Sequence, residues 1–315
     1  MTSRALILQC LQCALVFAGA PLLAGWVEQC RAWFGNRHGA GPLQPYRVLR
    51  KLWRKELVVA HAASWVFRTA PYLLVAAMII AGSIVPLLAP IVPLAPAADA
   101  IALVGVFAFA RMVSALAAMD IGTGFGSMGA RREMLIGFLA EPALLMVLFT
   151  PALISHSTSL AVIVRQLTTT RLFLYPSMAF AASAYVMVLL AENARIPVDN
   201  PDTHLELTMI HGALHLEYAG RHLALMEWAG AIKLATYMAI GIALFLPWGM
   251  SATGSASGIA LATGLLAVKM TAAGTALAAI ETLLAKLRLF RVPEFLGTAF
   301  MVAVLGILVH FLLGT

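Results

Sequence analysis

The sequence predicts an all-α polytopic membrane protein with about eight transmembrane helices and amphipathic helices on its cytoplasmic side. Three observations lead there. Of 315 residues, 62% are hydrophobic and 11% charged, with a mean hydropathy of +0.91, more apolar surface than a water-soluble globule could bury in one core. Apolar runs of the ~20 residues needed to cross a hydrocarbon layer of ~30 Å recur along nearly the whole chain. The Lys and Arg residues are concentrated in alternate loops, which is the pattern that sets orientation.

The first run, residues 5–27, begins almost at Met1 behind one basic residue, Arg4. Its length and its Pro21-containing end fit a first span better than a cleaved signal. It holds Cys10 and Cys13 as a C-x-x-C with no second pair, read as small buried hydrophobes; an iron-sulfur cluster of the chain's own needs four ligands, and the chain has three cysteines. Residues 28–69 follow as a loop containing "RVLRKLWRKELVVAHAASWVF", where basic residues alternate with Leu, Trp and Val at helical spacing. This predicts an interfacial amphipathic helix with Trp53 and Trp65 near headgroup depth. Spans at 70–90 and 100–119 come next. The loop 120–133, "DIGTGFGSMGARRE", has four glycines but no G-x-x-x-x-G-K-[ST] and no strand before it, so close packing of a short turn explains it better than phosphate binding. Further spans are expected at 134–155, 172–192, 223–247, 256–280 and 294–313. No repeat of fixed period and no soluble domain is visible, so residues 1–315 form one integral membrane domain.

Loops 28–69, 120–133, 193–222 and 281–293 share one side of this arrangement and contain fifteen of the 21 Lys and Arg residues. They are expected to face the cytoplasm, with both termini on the non-cytoplasmic side of the cell's inner membrane. The formal charge of +7 then reflects topology and contact with lipid or partner proteins, not nucleic acid.

The segment "ENARIPVDNPDTHLELTMIHGALHLEY", residues 192–218, collects much of the chain's ionisable chemistry. Asn200 and Pro201 read as an N-cap and first helical position, with Asp202 in the first turn, opening a helix that runs to about Gly220. On such a helix Asp202, Glu206 and Glu217 fall within about 60° of one another, and His204, His211 and His215 lie on the opposite edge. His211 and His215 have the i, i+4 spacing of zinc ligands but lack the H-E-x-x-H general base. Within the spans or at their ends, Arg111, Glu141, Glu192, Glu227, Lys233, Lys269 and Glu281 are further ionisable groups. Each alone is explained by an ion pair or a snorkelling charge; together they favour a polar pathway for protons or other ions.

These residues resemble a known family. "AENARIPVDNPDTHLELTM" with "LEYAGRHLALMEW" is similar to the A-E-x-x-R-x-P-x-D segment, acid-rich helix and E-Y-[SA] of the respiratory complex I subunit that joins the membrane arm to the peripheral arm. "RHGAGPLQPYRVLRKLWRKE" resembles that family's R-x-G-P…Q…K-L-x-x-K-E loop, and "GARREMLIGFLAEP" its G-A-x-R-E…E helix. The chain departs from complex I at P-V-D-N, where the family has P-F-D-L, at His204, which replaces one acid, and at Ala40, where Pro is usual. In "NPDTHLEL" and "LEYAGR" it looks more like the membrane anchor of energy-converting nickel-iron hydrogenases of the formate hydrogenlyase and hydrogenase-4 type, which need no quinone.

The resemblance implies a subunit with no cofactor of its own. A nickel-iron centre and iron-sulfur clusters would sit in partners: hydrogenase large and small subunits and an iron-sulfur subunit, beside an antiporter-like membrane subunit. It implies an ion pathway through Glu141, Glu192, Asp199, Asp202, Glu206, Glu217 and Glu227, to which the intramembrane Arg111 and Lys233 are added. Partner docking is expected at Arg37, Gln44, Lys51, Lys55, Glu56, Arg131, Arg132 and Arg195. Two alternatives stay open at this point, a quinone-chamber subunit of complex I and an independent secondary ion transporter, although no pseudo-symmetric halves favour the latter.

Overall fold

The computed structural model describes residues 3–89, 99–169, 175–199, 211–250, 256–287 and 291–313, and these are all-α apart from one isolated bridge between Asp99 and Ser159. Seven helices are long and apolar enough to cross a membrane: α1 (Ser3–Phe34), α3 (Trp65–Ile84), α4 (Ala100–Asp120), α5 (Gly124–Ser155), α9 (Gly220–Phe245), α10 (Ala256–Leu283) and α11 (Val292–Leu313). The eighth expected span is α7 (Pro176–Glu192), apolar but only 17 residues long. Three short helices complete the set, α2 (Gln44–Trp53), α6 (Leu160–Thr169) and α8 (His211–His215). α6 occupies a stretch in which the sequence reading places no helix, because ten residues are too few to carry a spanning signal.

Helix starts follow local chemistry. Ser64 accepts from the Val66 N–H at 3.1 Å to cap α3, Asp99 from Ile101 at 2.7 Å to cap α4, and Thr123 from Gly126 at 3.3 Å to cap α5, each satisfying a donor that a helix N-terminus leaves open. The Thr123 cap explains one difference from expectation. The glycine-rich segment 120–133 is a loop only as far as Thr123; from Gly124 onward it is the first turns of α5. Gly126 lies directly against the Ala118 carbonyl of α4, so its lack of a side chain serves helix–helix contact.

The amphipathic helix is α2, which buries Leu49 and Leu52 against Ala224 of α9 and turns Arg47, Arg50 and Lys51 outward. It ends at Trp53, and Trp65 is the first residue of α3, so the two tryptophans belong to different elements. α1 passes beside α2 and carries Pro21 inside it, and proline removes the donor that would have met the carbonyl four residues earlier. That carbonyl, of Phe17, accepts from Trp228 Nε1 of α9 at 3.0 Å, and the neighbouring Ala18 carbonyl accepts from the Tyr46 hydroxyl of α2. The break in α1 thus becomes the junction of three helices.

Beyond it, α9 packs on α1, α3 and α7, while α5 packs on α4, α7 and α11. α9 is the most enclosed span and α10 the least. The helix expected to run to Gly220 is corrected: of its described residues only His211–His215 are helical. Tyr218 is drawn away by α3, where its ring stacks on Phe67 at 4.0 Å and its hydroxyl donates to the Phe67 carbonyl at 3.1 Å. Gly220, at φ +54° and against the Glu56 carbonyl, then starts α9.

Gly126→Ala should lower stability by ~1–3 kcal/mol through overpacking against α4 backbone, read as a lower thermal midpoint in detergent. Gly124→Ala, where an added Cβ meets nothing within 4 Å, should leave the midpoint at or above that of the wild type.

Candidate functional site

Arg111 lies within α4 and is 5% exposed. A guanidinium stays charged in any protein setting, so its burial in a span requires counter-charges. Three carboxylates supply them. Glu133 of α5 lies 3.5 Å from Nε, Glu141 of α5 lies 3.4 Å from Nη1, and Glu192, the last residue of α7, is hydrogen-bonded to Nη2. Glu133 and Glu141 are eight residues apart, with Gly137 midway between them. A Cβ at Gly137 would overlap the Arg111 side chain, so the glycine is the notch through which Arg111 reaches both acids. The other Glu192 oxygen receives Lys233 Nζ of α9 at 2.9 Å, and the second Glu133 oxygen faces His211 Nε2 of α8 at 3.5 Å.

Five elements therefore meet in one network. With three carboxylates ionised and Arg111 and Lys233 positive, it carries one net negative charge. A single proton, on His211 or on a carboxylate, brings it to neutrality, which is the condition for a group that takes up and passes on one proton. Glu133 and Glu192 are almost wholly enclosed, whereas the Glu141 side chain keeps 30% exposure.

The network opens into a cavity of about 480 Å³ whose walls include Arg111, Glu133, Glu192 and Lys233. The segment after α7 contributes Arg195 and Asp199, α8 contributes His211 and His215, and Glu28, Gln44 and Glu227 stand on the walls formed by α1, α2 and α9. Asp199 is buried and accepts from the His211 backbone N–H at 3.3 Å, which ties α8 to this segment. Burial, and then the adjacent His211, push the His215 imidazole down to about 4. Burial and then Asp120 push the Tyr218 hydroxyl up. A second buried carboxylate, Glu281 at the end of α10, lies 3.5 Å from Arg195 and 4.0 Å from Arg31 of α1. With the bond from the Leu287 N–H to the Pro197 carbonyl at 2.8 Å, it fixes the segment after α7 to α10.

The family described as NADH dehydrogenase matches residues 7–312 of the chain. The chain belongs to the NADH dehydrogenase family. It is similar to formate hydrogenlyase subunit 4 of Escherichia coli (strain K12), at 32% identity over 290 residues covering 92% of this chain and 94% of that protein. Hydrogenase-4 component C of the same organism is 32% identical over 239 residues, 76% of this chain and 74% of that one. Among solved structures, a chain of the membrane-bound sulfane sulfur reductase, an archaeal respiratory membrane complex, has the same fold, with a TM-score of 0.83 at 19% identity and coverage of 97% and 99% of the two chains.

In this member of the NADH dehydrogenase family, the structure brings four of the expected pathway residues, Arg111, Glu141, Glu192 and Lys233, into one network, and Asp199 lines the cavity beside it. Glu227 is on the same cavity, within the field of Glu28 rather than of Arg111. Glu217 is on the exterior, and Asp202 and Glu206 lie outside the described residues. Of the expected docking residues, Arg37, Lys51, Lys55, Glu56 and Arg131 are exposed, Arg132 is half-buried, Gln44 lines the cavity, and Arg195 is engaged by Glu281. The sequence reading missed Glu133 and the link from it to His211. Its signal was present: Glu133, Gly137 and Glu141 share a helical spacing, hidden because the span was expected to start at 134. Among the described residues, no group of three or more His, Cys, Asp or Glu is placed to hold a metal ion.

Glu192→Gln should cost ~3–5 kcal/mol by leaving Lys233 without the carboxylate that faces it. Adding Lys233→Met should recover part of the loss, and a double-mutant cycle on thermal stability measures the coupling. For His215, a folded value below the unfolded one of ~6.5 means that the unfolded chain binds the extra proton. Its contribution is intact above about pH 6.5 and is lost as pH falls towards 4; His215→Gln should therefore flatten the decline in thermal midpoint over that interval relative to wild type.

Proposed function

We propose that the chain is the membrane subunit of an energy-converting hydrogenase of the formate hydrogenlyase or hydrogenase-4 kind, anchoring a cytoplasmic hydrogenase module and coupling its redox chemistry to proton or sodium movement. The observation that carries this reading is the Arg111–Glu133–Glu141–Glu192–Lys233 network set on a cavity of about 480 Å³. Likeness to formate hydrogenlyase subunit 4 over 94% of that protein supports it. Intramembrane ionisable groups are costly, and are kept where ions or protons pass.

In this reading the chain holds no redox centre. The nickel-iron centre and the iron-sulfur clusters belong to hydrogenase large and small subunits and an iron-sulfur subunit, and an antiporter-like membrane subunit lies alongside. The basic loops face the cytoplasm, where Arg37, Lys51, Lys55, Glu56 and Arg131 meet the module, and both termini lie on the other side of the inner membrane. A change of charge at the docked module acts first on the groups lining the cavity. His211 then alters its hold on Glu133, Arg111 redistributes among its three acids, and Glu141, the most exposed of them, exchanges the proton with the neighbouring membrane subunit.

A second reading, the quinone-chamber subunit of respiratory complex I, is favoured by the apolar part of the cavity wall, Pro21, Val48, Leu74, Met78 and Phe107. Purification of the tagged chain from mild-detergent membranes, with mass spectrometry of the partners, separates the two. A nickel-containing subunit and hydrogen evolution in the eluate are the expected result; a flavin-containing, quinone-reducing assembly would replace the hydrogenase reading. In sealed vesicles, Glu192→Gln should abolish ion movement while hydrogen evolution in detergent continues.

A further inference from the structure

Below the charge network, on the side away from the basic loops, polar side chains sit inside the apolar bundle. Thr236 of α9 is fully buried, and Gln12 and Gln9 of α1 are 1% and 7% exposed. Both ends of the Gln12 amide are used: it donates to the Val85 carbonyl and accepts from the Leu87 N–H at 3.2 Å, holding the extended chain after α3. Gln9 Nε2 donates to the Ser83 carbonyl at 2.8 Å, but its Oε1 has no hydrogen-bond partner among the described residues. The Thr236 hydroxyl has none either.

That is unusual chemistry for a threonine in a span, which ordinarily bonds back to the preceding turn. Thr150, Thr263 and Thr275 do so, to Met146 at 3.3 Å, Ile259 at 2.8 Å and Thr271 at 2.8 Å. Thr236 does not take the Ile232 carbonyl that the same geometry offers. An unsatisfied buried polar group costs ~1–3 kcal/mol, and two of them occur along one line.

The line starts at the network. Thr236 and Tyr237 follow Lys233 by three and four residues, about one helical turn further along α9. Tyr237 stacks on Phe107 at 4.6 Å and lies within electrostatic reach of Glu192 and Arg111. On its other side, Thr236 Oγ1 is 3.1 Å from the position a Cβ would occupy on Gly82, and Gly82 precedes the Ser83 whose carbonyl holds Gln9. Polar atoms therefore step from α9 across α3 to α1, towards the face where α1 begins.

We propose that Tyr237, Thr236 and Gln9 are stations of a proton route that runs through this chain itself, joining the Arg111 network to the face opposite the basic loops. The proposal rests on the reading above in which that network handles protons. At each hydroxyl station the oxygen accepts a proton as its own O–H proton passes on, with water linking the stations, so only O–H bonds are made and broken. Gln9 Oε1 orients the last link as an acceptor.

The test uses the intact complex in sealed vesicles, with hydrogen evolution and internal acidification followed together. Thr236→Val, which keeps the shape and removes the hydroxyl, should slow acidification about tenfold, equivalent to about 1.4 kcal/mol in the barrier, without slowing hydrogen evolution in detergent. Thr236→Ser should behave as wild type. Gly82→Ala, which puts a methyl beside Thr236 and Val16, should act like Thr236→Val. Wild-type acidification in both Thr236→Val and Gly82→Ala overturns the route and leaves the functional reading standing. Failure of Thr236→Val alone to assemble, with Thr236→Ser assembling, assigns the hydroxyl to folding and also overturns it. Hydrogen evolution without acidification in the wild-type complex removes proton coupling and the route together, and sodium uptake under the same conditions would leave the coupling reading standing with sodium as its ion.

Discussion

A permanent positive charge inside a bilayer must be answered by negative charge within reach, and the centre of this molecule is built around that demand. Arg111 engages acids from two other helices, and one of those acids also engages Lys233. α4, α5, α7 and α9 are therefore held at one depth by charge as well as by packing. Apolar contact alone gives weak preference for one rotation of a helix over another in lipid, whereas an ion pair facing hydrocarbon is prohibitive. The network thus determines which faces of these four helices turn inwards, and the cavity forms where their charged faces cannot close against each other.

Most of the fold was legible because its signals are coarse. Hydropathy locates spans whatever the details of their ends. The ends themselves are decided by single contacts that hydropathy does not register. Thr123 caps a helix that starts ten residues before the expected span, and Tyr218 leaves its helix for a ring on α3. α6 is too short to stand out against the spans around it.

The site was legible in its members more than in its geometry. Arg111, Glu141, Glu192 and Lys233 stand out as ionisable residues in apolar runs, but no one-dimensional pattern says that they touch. Glu133 went unseen because it was counted with a loop, although it holds two of the network's contacts. Arg195 makes the same point: its motif names the residue, and only the fold shows that it answers a buried acid of α10. A motif carries the identity of a residue across relatives, and its partner is known only when the chain is folded.

The proline break in α1 bears on what can move. Because two backbone oxygens beside Pro21 are bonded to Trp228 and Tyr46, α1, α2 and α9 are riveted together near the cavity and cannot slide past one another without breaking those bonds. The wall made by the segment after α7 and by α8 is held otherwise: ion pairs and backbone hydrogen bonds reach it, while Val198 packs it on α5 and α11 and Leu214 packs it on α4 and α5.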